Sequence, residues 1–294
     1  MSNSGIQAIL ATALRRVRAF AFEKEWLNKW ETLKAILLSL NSVLVAYSGG
    51  VDSTLLLKVA RDTLGEKATA ATIKGEVHPQ WEVEEALRVA RDMGVEPLVV
   101  ELSVLDHSAF AANPPDRCYH CKNLIFTRLK EIAQEQGLAW VVEGSNRDDL
   151  GDYRPGRRAL EELAVRSPLL EAGLTKAEIR SLSRYLGLPT WDRPSLACLA
   201  SRFPYSTALT ATVLEQVDRA EVFLGELGFG QRRVRHHGDI ARLEIEAEDW
   251  PILLENRQRI VARLRELGYT YVTVDLSGYR TGSMNEALEG RDER

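Results

Sequence analysis

The stretch Val43-Leu-Val-Ala-Tyr47 runs directly into Ser48-Gly49-Gly50-Val51-Asp52-Ser53, and Thr54-Leu-Leu-Leu-Lys-Val-Ala60 follows without a break. A run of small and β-branched apolar residues reads as a buried strand, the two glycines as a tight turn, and the leucine-rich run as a helix. A strand, a glycine turn and a helix start form an anion cradle. The glycines let backbone N–H groups approach a phosphate, and the helix N-terminus adds partial positive charge. Ser48 and Ser53 add hydroxyls, and an acidic residue inside such a loop makes sense if it holds Mg²⁺ on a pyrophosphate, which marks Asp52. The Gly-Lys-Ser/Thr ending of the Walker loop and the three spaced glycines of the dinucleotide fingerprint are both missing. The plainer reading is a Gly-Gly turn with Asp52 capping a helix.

Outward from this loop, strand and helix patterns alternate. Residues 42–47, 68–73, 97–102 and 140–143 read as strands; 53–64, 82–93 and 123–136 read as helices, the first ending at Gly65 and the second at Gly94. Alternation of apolar strands with helices predicts an α/β fold with a doubly wound parallel sheet, whose ligands gather beyond the carboxyl ends of the strands. The loops after Tyr47, Ile73, Leu102 and Glu143 should therefore carry function. A further helix at 176–186 precedes a proline-bearing segment of little periodicity. Beyond it, a helix at 211–227, strands at 233–237 and 241–246, a helix at 252–267 and a strand at 271–276 predict a smaller α+β domain. The expected division is an N-terminal extension (1–25), a phosphate-loop domain (26–190), a connector carrying Cys198 (191–206) and an α+β substrate-binding and oligomerisation domain (207–294).

The 294 residues are 45% hydrophobic and 27% charged, an ordinary globular composition. Lys plus Arg number 38 against 42 Asp plus Glu, and from residue 207 onward there are 12 Arg and no Lys against 16 acidic residues. Neither part is a basic module, so nucleic acid is not the expected partner. No apolar run approaches the roughly 20 residues of a membrane span, so no membrane partner is expected. Arg15, Arg16, Arg18 and Lys24 give the first residues a basic bias, read as an amphipathic leading helix or extension, with an organelle transit peptide as the rival. Three cysteines leave one over from any pairing, and a cytoplasmic, reducing compartment is expected.

Cys118-Tyr-His-Cys121 reads as lying just before a helix, and Cys198 stands alone in the connector, so all three thiols fall in expected loops. A Cys-x-x-Cys pair is shared by zinc sites, redox pairs and iron–sulfur sites. Zinc on the three cysteines with His120 would require His120 to fold back between two ligands. A four-iron cluster on three cysteines leaves one iron open for a small sulfur ligand. Two buried thiols without a role is the remaining reading.

The loop Ser48-Gly-Gly-Val-Asp-Ser53 matches in full the signature of the PP-loop ATP pyrophosphatases, which the sequence thus resembles. That resemblance implies cleavage of ATP between the α and β phosphates. By family position Lys74 and Gly144 should lie near the adenosine. Five further motifs narrow it: Pro114-Pro-Asp-Arg-Cys-Tyr-His-Cys-Lys122, Glu143-Gly-Ser-Asn-Arg-Asp-Asp-Leu-Gly-Asp-Tyr-Arg-Pro-Gly156, Ala197-Cys-Leu-Ala-Ser-Arg-Phe-Pro-Tyr205, Val234-Arg-His-His-Gly-Asp-Ile-Ala-Arg242 and Gly278-Tyr-Arg-Thr-Gly-Ser-Met-Asn285. Together, from about residue 26 onward, they resemble the LarE-type ATP-dependent sulfur transferases. Ser206 stands where that family usually has Gly, a departure that touches turn geometry.

The resemblance implies an enzyme that adenylates a carboxylate of pyridinium-3,5-biscarboxylic acid mononucleotide and converts it to a thiocarboxylate, in biosynthesis of the nickel pincer nucleotide of lactate racemase. Family members with the Cys198 position alone sacrifice its sulfur and leave dehydroalanine. Those with all three cysteines are understood to hold a [4Fe–4S] cluster and deliver an added sulfide, and this chain has Cys118, Cys121 and Cys198. The substrate's oxyanions call for guanidinium forks. Arg233 and Arg235 match the family's substrate arginines, strand alternation puts both on one face with His237, and Arg202 can hold the same anion beside Cys198. Glu221 also matches a site position, on an amphipathic helix where an exposed carboxylate is common; Asp148, Asp149, Asp152 and Arg154 read either as a capped, salt-bridged loop or as Mg²⁺ or substrate ligands. His78, His107 and His120 read as surface or loop residues, and a homo-oligomer is expected, as in the family. The rivals are a PP-loop tRNA thiolase with a [4Fe–4S] cluster, which should carry a basic face; an ammonia-dependent synthetase, which has no use for three thiols; and a non-catalytic ATP-binding protein with structural zinc.

Overall fold

A computed structural model of the chain describes residues 26–151, 155–194, 197–280 and 283. Residues 26–40 form a helix, α1, that leads into strand β1 (Val43–Ala46). After the glycine turn comes α2 (Val51–Leu64), then β2 (Ala68–Lys74), α3 (Gln80–Asp92) and β3 (Leu98–Glu101). A one-turn helix α4 (Ser108–Ala111) precedes α5 (Arg117–Glu135) and β4 (Trp140–Val142). The order across this sheet is β3-β2-β1-β4, every pair parallel.

Alternation along the strands explains the two covered faces. Val43 and Val45 of β1 pack with Leu55, Leu56 and Val59 of α2 and Ala86 and Ala90 of α3; Leu44 points the other way, onto Phe126, Leu129 and Ile132 of α5. Because β2 and β3 lie on one side of β1 and β4 on the other, the chain changes direction at β1. That switch opens a crevice at the carboxyl ends of β1 and β4, where the phosphate loop lies.

Helices α6 (Gly156–Glu162), α7 (Pro168–Glu171) and α8 (Lys176–Tyr185) complete the first layer set. Thr175 starts α8 with a full capping box: its side chain accepts from the Glu178 N–H, and the Glu178 carboxylate accepts from the Thr175 N–H. The second unit is α9 (Ala211–Glu226), β5 (Arg232–His237), β6 (Ile240–Ile245), α10 (Trp250–Glu266) and β7 (Tyr271–Val274). Its sheet runs β5-β6-β7, with an antiparallel β5/β6 hairpin and β7 parallel to β6. Among the described residues no helix is long and apolar enough to cross a membrane.

The segment read as a connector is built into a core. Leu199, Ala200 and Phe203 are essentially inaccessible and pack in one cluster with Val77, Val104 and Phe110 of the first unit and Leu214, Val217, Val234 and Leu243 of the second. The two units thus share an apolar seam around Cys198. One expectation is corrected: Cys118 and Cys121 do not precede a helix but occupy its first turns, because α5 starts at Arg117. The apolar period that marks this helix, Phe126, Leu129, Ile132 and Ala133, belongs to its second half. The first half faces the seam, where polar residues hide the pattern.

Candidate active site

The phosphate loop takes the shape its glycines require. Gly49 has φ +74°, and a Cβ there would meet Ala86 Cβ at 2.5 Å, so neither the conformation nor the space admits a side chain. Ser48 and Ser53 hydroxyls lie 3.1 Å apart across the turn, and the Ser48 N–H donates to Ser53 Oγ at 3.3 Å. Ahead of them, the first N–H groups of α2 have no preceding helical turn to bond to. Gly144, just after β4, passes close to the same turn: a Cβ on it would lie 3.1 Å from the Ser53 nitrogen and 3.2 Å from Asp52 Cβ.

Asp52 is held from two sides. Asn146 Nδ2 donates to Oδ1 at 3.2 Å, and Lys176 Nζ at the start of α8 pairs with Oδ2. Arg193, from the segment before Cys198, donates to the Gly49 carbonyl at 2.8 Å and to Glu85 Oε1 at 2.8 Å, clasping that segment to the loop. Asp148 and Asp149 serve the turn itself: Asp149 Oδ2 accepts from the Asn146 N–H at 2.9 Å, and Asp148 Oδ2 from the Lys176 N–H at 2.8 Å.

A cavity of about 380 Å³ opens beside this loop, lined by Ser48, Asp52, Ser53, Thr72, Ile73, His78, Glu82, Lys122, Glu143, Gly144 and Cys198. Cys198 therefore faces the same space as the phosphate loop, although 145 residues separate it from Ser53 in the chain. The two cysteine-bearing segments are stitched together. Asn113 Nδ2 donates to the Pro204 carbonyl at 2.9 Å, Ser206 N–H to the Asn113 carbonyl at 2.8 Å, and Leu209 N–H to the Ala111 carbonyl at 2.8 Å. Ser206 sits at φ +66°, the left-handed region that favours glycine. Burial, then the charges of Cys198 and Cys118, push the Cys121 thiol up, while Lys122 and Arg117 pull it down, so the three thiols lie within electrostatic reach of one another. Among the described residues no three His, Cys, Asp or Glu side chains converge closely enough to hold a single metal ion.

The arginines lie deeper than alternation suggests. Arg202, 1% exposed, forms a bidentate pair with Glu221, Nε to Oε1 at 2.9 Å and Nη2 to Oε2 at 2.8 Å. Its Nη1 donates to the Ala197, Cys198 and Ser201 side of the turn, at 2.5 Å, 3.1 Å and 3.0 Å. With all three nitrogens engaged, it shapes the Cys198 turn instead of offering an open fork. Glu221, expected on an exposed face, is buried on the same side of α9 as Leu214, Val217 and Leu224, a 3-4-3 spacing that could have placed it inward. Burial would raise its pKa, but attraction and hydrogen bonding from Arg202, then Arg233 and the Val234 N–H, outweigh this and lower it.

Arg235, 4% exposed, commits both terminal nitrogens, bonding Glu244 Oε2 at 2.6 Å, Ser283 Oγ at 2.8 Å and the Ser201 carbonyl at 2.8 Å, and leaves its buried Nε without a partner. Arg233 is only half-buried, stacks over the Tyr279 ring at 5.3 Å, and its charge acts on both Glu82 and Glu221. Lys74 does not reach the cavity. At the exposed end of β2 it pairs with Glu101 at 3.1 Å, and its neighbours Thr72 and Ile73 line the cavity in its place. Asp152 and Arg154 lie outside the described residues.

Four residues that the sequence did not single out belong to this geometry: Glu82, Lys122, Asn146 and Lys176. Glu82 is the most unusual, a carboxyl on the cavity wall whose pKa desolvation raises to about 7 despite Arg202 and Arg233. His78, read as a surface or loop residue, also lines the cavity, and burial lowers its pKa.

No protein-family model matches the chain. It is 41% identical to the pyridinium-3,5-bisthiocarboxylic acid mononucleotide synthase of Lactiplantibacillus plantarum over 89% of its own length and 95% of that protein. The chain belongs to the LarE family. An uncharacterized Synechocystis protein is 40% identical over 89% of the chain and 98% of that protein. More distantly, a glutamine-hydrolyzing GMP synthase of Aeropyrum pernix is 26% identical over 51% of the chain and 32% of its own length. That likeness places the LarE family within the wider PP-loop superfamily of ATP pyrophosphatases.

Proposed function

We propose that this protein is an ATP-dependent sulfur transferase that converts the carboxylates of pyridinium-3,5-biscarboxylic acid mononucleotide to thiocarboxylates. The observation that carries the reading is the single cavity that joins the phosphate loop to Cys198. One side offers phosphate donors and Asp52; the other offers a thiol with two more beside it.

In the first step a substrate carboxylate oxygen attacks the α phosphorus of ATP. The new O–P bond forms as the α–β bridge breaks, and pyrophosphate stays on Ser48, Gly49, Gly50 and Ser53, with Asp52 as the carboxylate for Mg²⁺. Gly144 leaves room for the nucleotide beside that turn. Adenylation turns a carboxylate, which resists nucleophiles, into a good acceptor. A sulfur nucleophile at Cys198 then bonds the acyl carbon and AMP departs with the carbon–oxygen bond's electrons. A second round acts on the other carboxylate. Arg233 meets the substrate's anionic groups, and Arg202, Glu221 and Arg235 hold the Cys198 turn and the β5 strand that present them.

The donor set suits a [4Fe–4S] cluster on Cys118, Cys121 and Cys198. Two of the thiols come from the first turns of α5 and the third from the turn at Cys198, and the charges of Cys198 and Cys118 both act on Cys121. Held by three thiolates, such a cluster supplies an iron without a protein ligand, a place for inorganic sulfide. Residues 207–294 carry substrate recognition and self-association, and a reducing cytoplasm suits the thiols.

Anaerobic purification, iron and sulfide analysis, and mass spectrometry after turnover with ATP and the biscarboxylate nucleotide test this. About four irons per chain, pyrophosphate release, sulfur-for-oxygen exchange in the product and an intact Cys198 are expected. Conversion of Cys198 to dehydroalanine would show the sacrificial route instead, and zinc without pyrophosphate release would remove the enzyme reading.

A further inference from the structure

Three carboxyl groups line the cavity that joins the phosphate loop to Cys198, and two of them are occupied. Asp52 is held by Asn146 and Lys176; Glu143 accepts from the Ser145 N–H at 3.0 Å and from the Ser145 and Ser167 hydroxyls. Glu82 is the third. Among the described residues its carboxyl accepts no hydrogen bond and forms no ion pair, and neither oxygen is closed off from the cavity. Helix α3, which carries Glu82 in its first turn, and the loop leading into it are clamped to the Cys198 segment at two points: the Leu199 N–H donates to the Val77 carbonyl at 2.9 Å, and Arg193 Nη2 donates to Glu85 Oε1 at 2.8 Å. Glu82 falls between the first pair of anchors, 77 and 85, and Cys198 between the second, 193 and 199. Both side chains therefore open onto one space of about 380 Å³ from facing segments.

Resting on the sulfur-transfer reading above, we propose that Glu82 is the catalytic base of the sulfur-transfer step and takes the proton from the sulfur that attacks the acyl adenylate. Sulfur enters as hydrosulfide. Its lone pair bonds the acyl carbon, the bond from that carbon to the adenylate oxygen breaks with its electrons leaving on AMP, and the sulfur-bound proton passes to a Glu82 oxygen, which leaves a thiocarboxylate. Nothing is oxidised or reduced, because the sulfur is at the sulfide level before and after. A carboxyl meant for Mg²⁺ would belong with Asp52 on the phosphate loop. The charges that act on Glu82 come instead from the sulfur side: Arg202 of the Cys198 turn, Arg233 of β5 and Glu221 of α9, with Arg193 from the segment before Cys198. Desolvation raises its pKa to about 7 despite the arginines, so it gains and returns a proton near neutrality, as a base that turns over must. Of the other titratable groups on the cavity wall, Asp52 and Glu143 are already bonded, Lys122 is a cation facing Glu143 at 3.9 Å, and His78 has its Nδ1 sealed in the wall.

The test uses the anaerobically reconstituted wild-type chain and its E82Q and E82D variants, given ATP, Mg²⁺, the biscarboxylate nucleotide and sodium hydrosulfide, with pyrophosphate release and sulfur-for-oxygen exchange measured separately from about pH 6 to pH 8. E82Q should lose sulfur transfer about 100-fold more than it loses pyrophosphate release, the low end of what a positioned base contributes. The ratio of wild-type to E82Q transfer rates should rise through about pH 7, and the ionisation of hydrosulfide itself cancels from that ratio. E82D should recover part of the rate together with the pH dependence. In infrared difference spectra of the unloaded chain over the same range, a protonated-carboxyl band should titrate in wild type and be missing from E82Q. Equal transfer rates and pH profiles in wild type and E82Q overturn the proposal. Equal loss of pyrophosphate release and sulfur transfer does too, since it would put Glu82 in adenylation, and so does a wild type without the titrating band. A wild-type chain that releases pyrophosphate but transfers no sulfur overturns the sulfur-transfer reading; normal transfer with no Glu82 effect overturns this proposal alone.

Discussion

The two walls of the cavity handle charge in opposite ways. On the phosphate side, Ser48 is exposed and Asp52 partly open, and Asp52 leans on the buried Asn146 and the half-exposed Lys176. On the sulfur side, Arg202, Glu221, Arg235 and Glu244 are sealed into buried pairs. The difference follows from what each wall must do. A loop that receives a polyanion needs donors left over; a turn that presents a thiol at a domain seam needs to be held still. Polar and charged side chains thus act as ligands on one wall and as scaffolding on the other.

The same chemical change on each wall separates these roles most strongly. Glu221→Gln leaves Arg202 buried without its counter-ion, and breaking such a pair costs about 3–5 kcal/mol. Asp52→Asn removes a partly exposed pair with Lys176, for which about 1 kcal/mol or less is expected. In thermal melts at pH 7.5 the Glu221 variant should drop by on the order of 10 °C and the Asp52 variant by a few degrees at most. Pyrophosphate release should fall sharply for Asp52→Asn even though its fold is intact. Equal melting shifts would break the contrast between the walls.

How far the sequence reveals each wall follows from the same contrast. The strand, turn and helix of residues 43–64 are contiguous, so apolar periodicity and the Gly-Gly pair fix their shape locally, and the parallel sheet follows from the alternation around them. The three cysteines declare themselves by spacing and number. The buried pairs do not: Arg202 meets Glu221 across 19 positions, and only the packing of α9 on the Cys198 turn makes the pair. Arg235 reads as a substrate arginine until Glu244 and Ser283 are seen to occupy it. Glu82 looks like an ordinary first-turn acid of α3, and the charges that act on it, Arg202, Arg233 and Glu221, come from far along the chain. Lys74, expected near the adenosine, pairs with Glu101 at the exposed end of β2, while its neighbours Thr72 and Ile73 line the cavity.

Glu82 lies where the walls meet and gives the second test. Its carboxyl titrates near pH 4.5 when the chain is unfolded and near 7 when folded, because burial favours the neutral form. The native state therefore binds more protons than the unfolded state between those values, and stability falls as pH rises through that window. The loss is at most about 3 kcal/mol, complete above pH 7 and absent below 4.5. Glu82→Gln removes the titrating group, so its melting temperature relative to wild type should rise between pH 5 and pH 8. Parallel stability curves for the two proteins would show that Glu82 behaves like an open-wall carboxylate.

The smallest expected effect concerns the turn that joins the two cysteine segments. Ser206 holds φ +66° while its N–H bonds the Asn113 carbonyl. An L-residue in the left-handed region costs roughly 1–2 kcal/mol, and glycine, which the family usually has here, returns roughly 0.5–1 kcal/mol of that through its greater freedom when unfolded. Ser206→Gly should therefore stabilise the chain by about 0.5–1 kcal/mol, a rise of a few degrees in the same melts. Ser206→Ala keeps the strain and removes the hydroxyl, so it should not stabilise. If Ala raised the melting temperature as much as Gly, the hydroxyl and not the backbone would be the source of the cost. If Gly lowered it, the turn would depend on the serine side chain, and the sulfur wall would be held by side-chain bonding even at its outermost stitch.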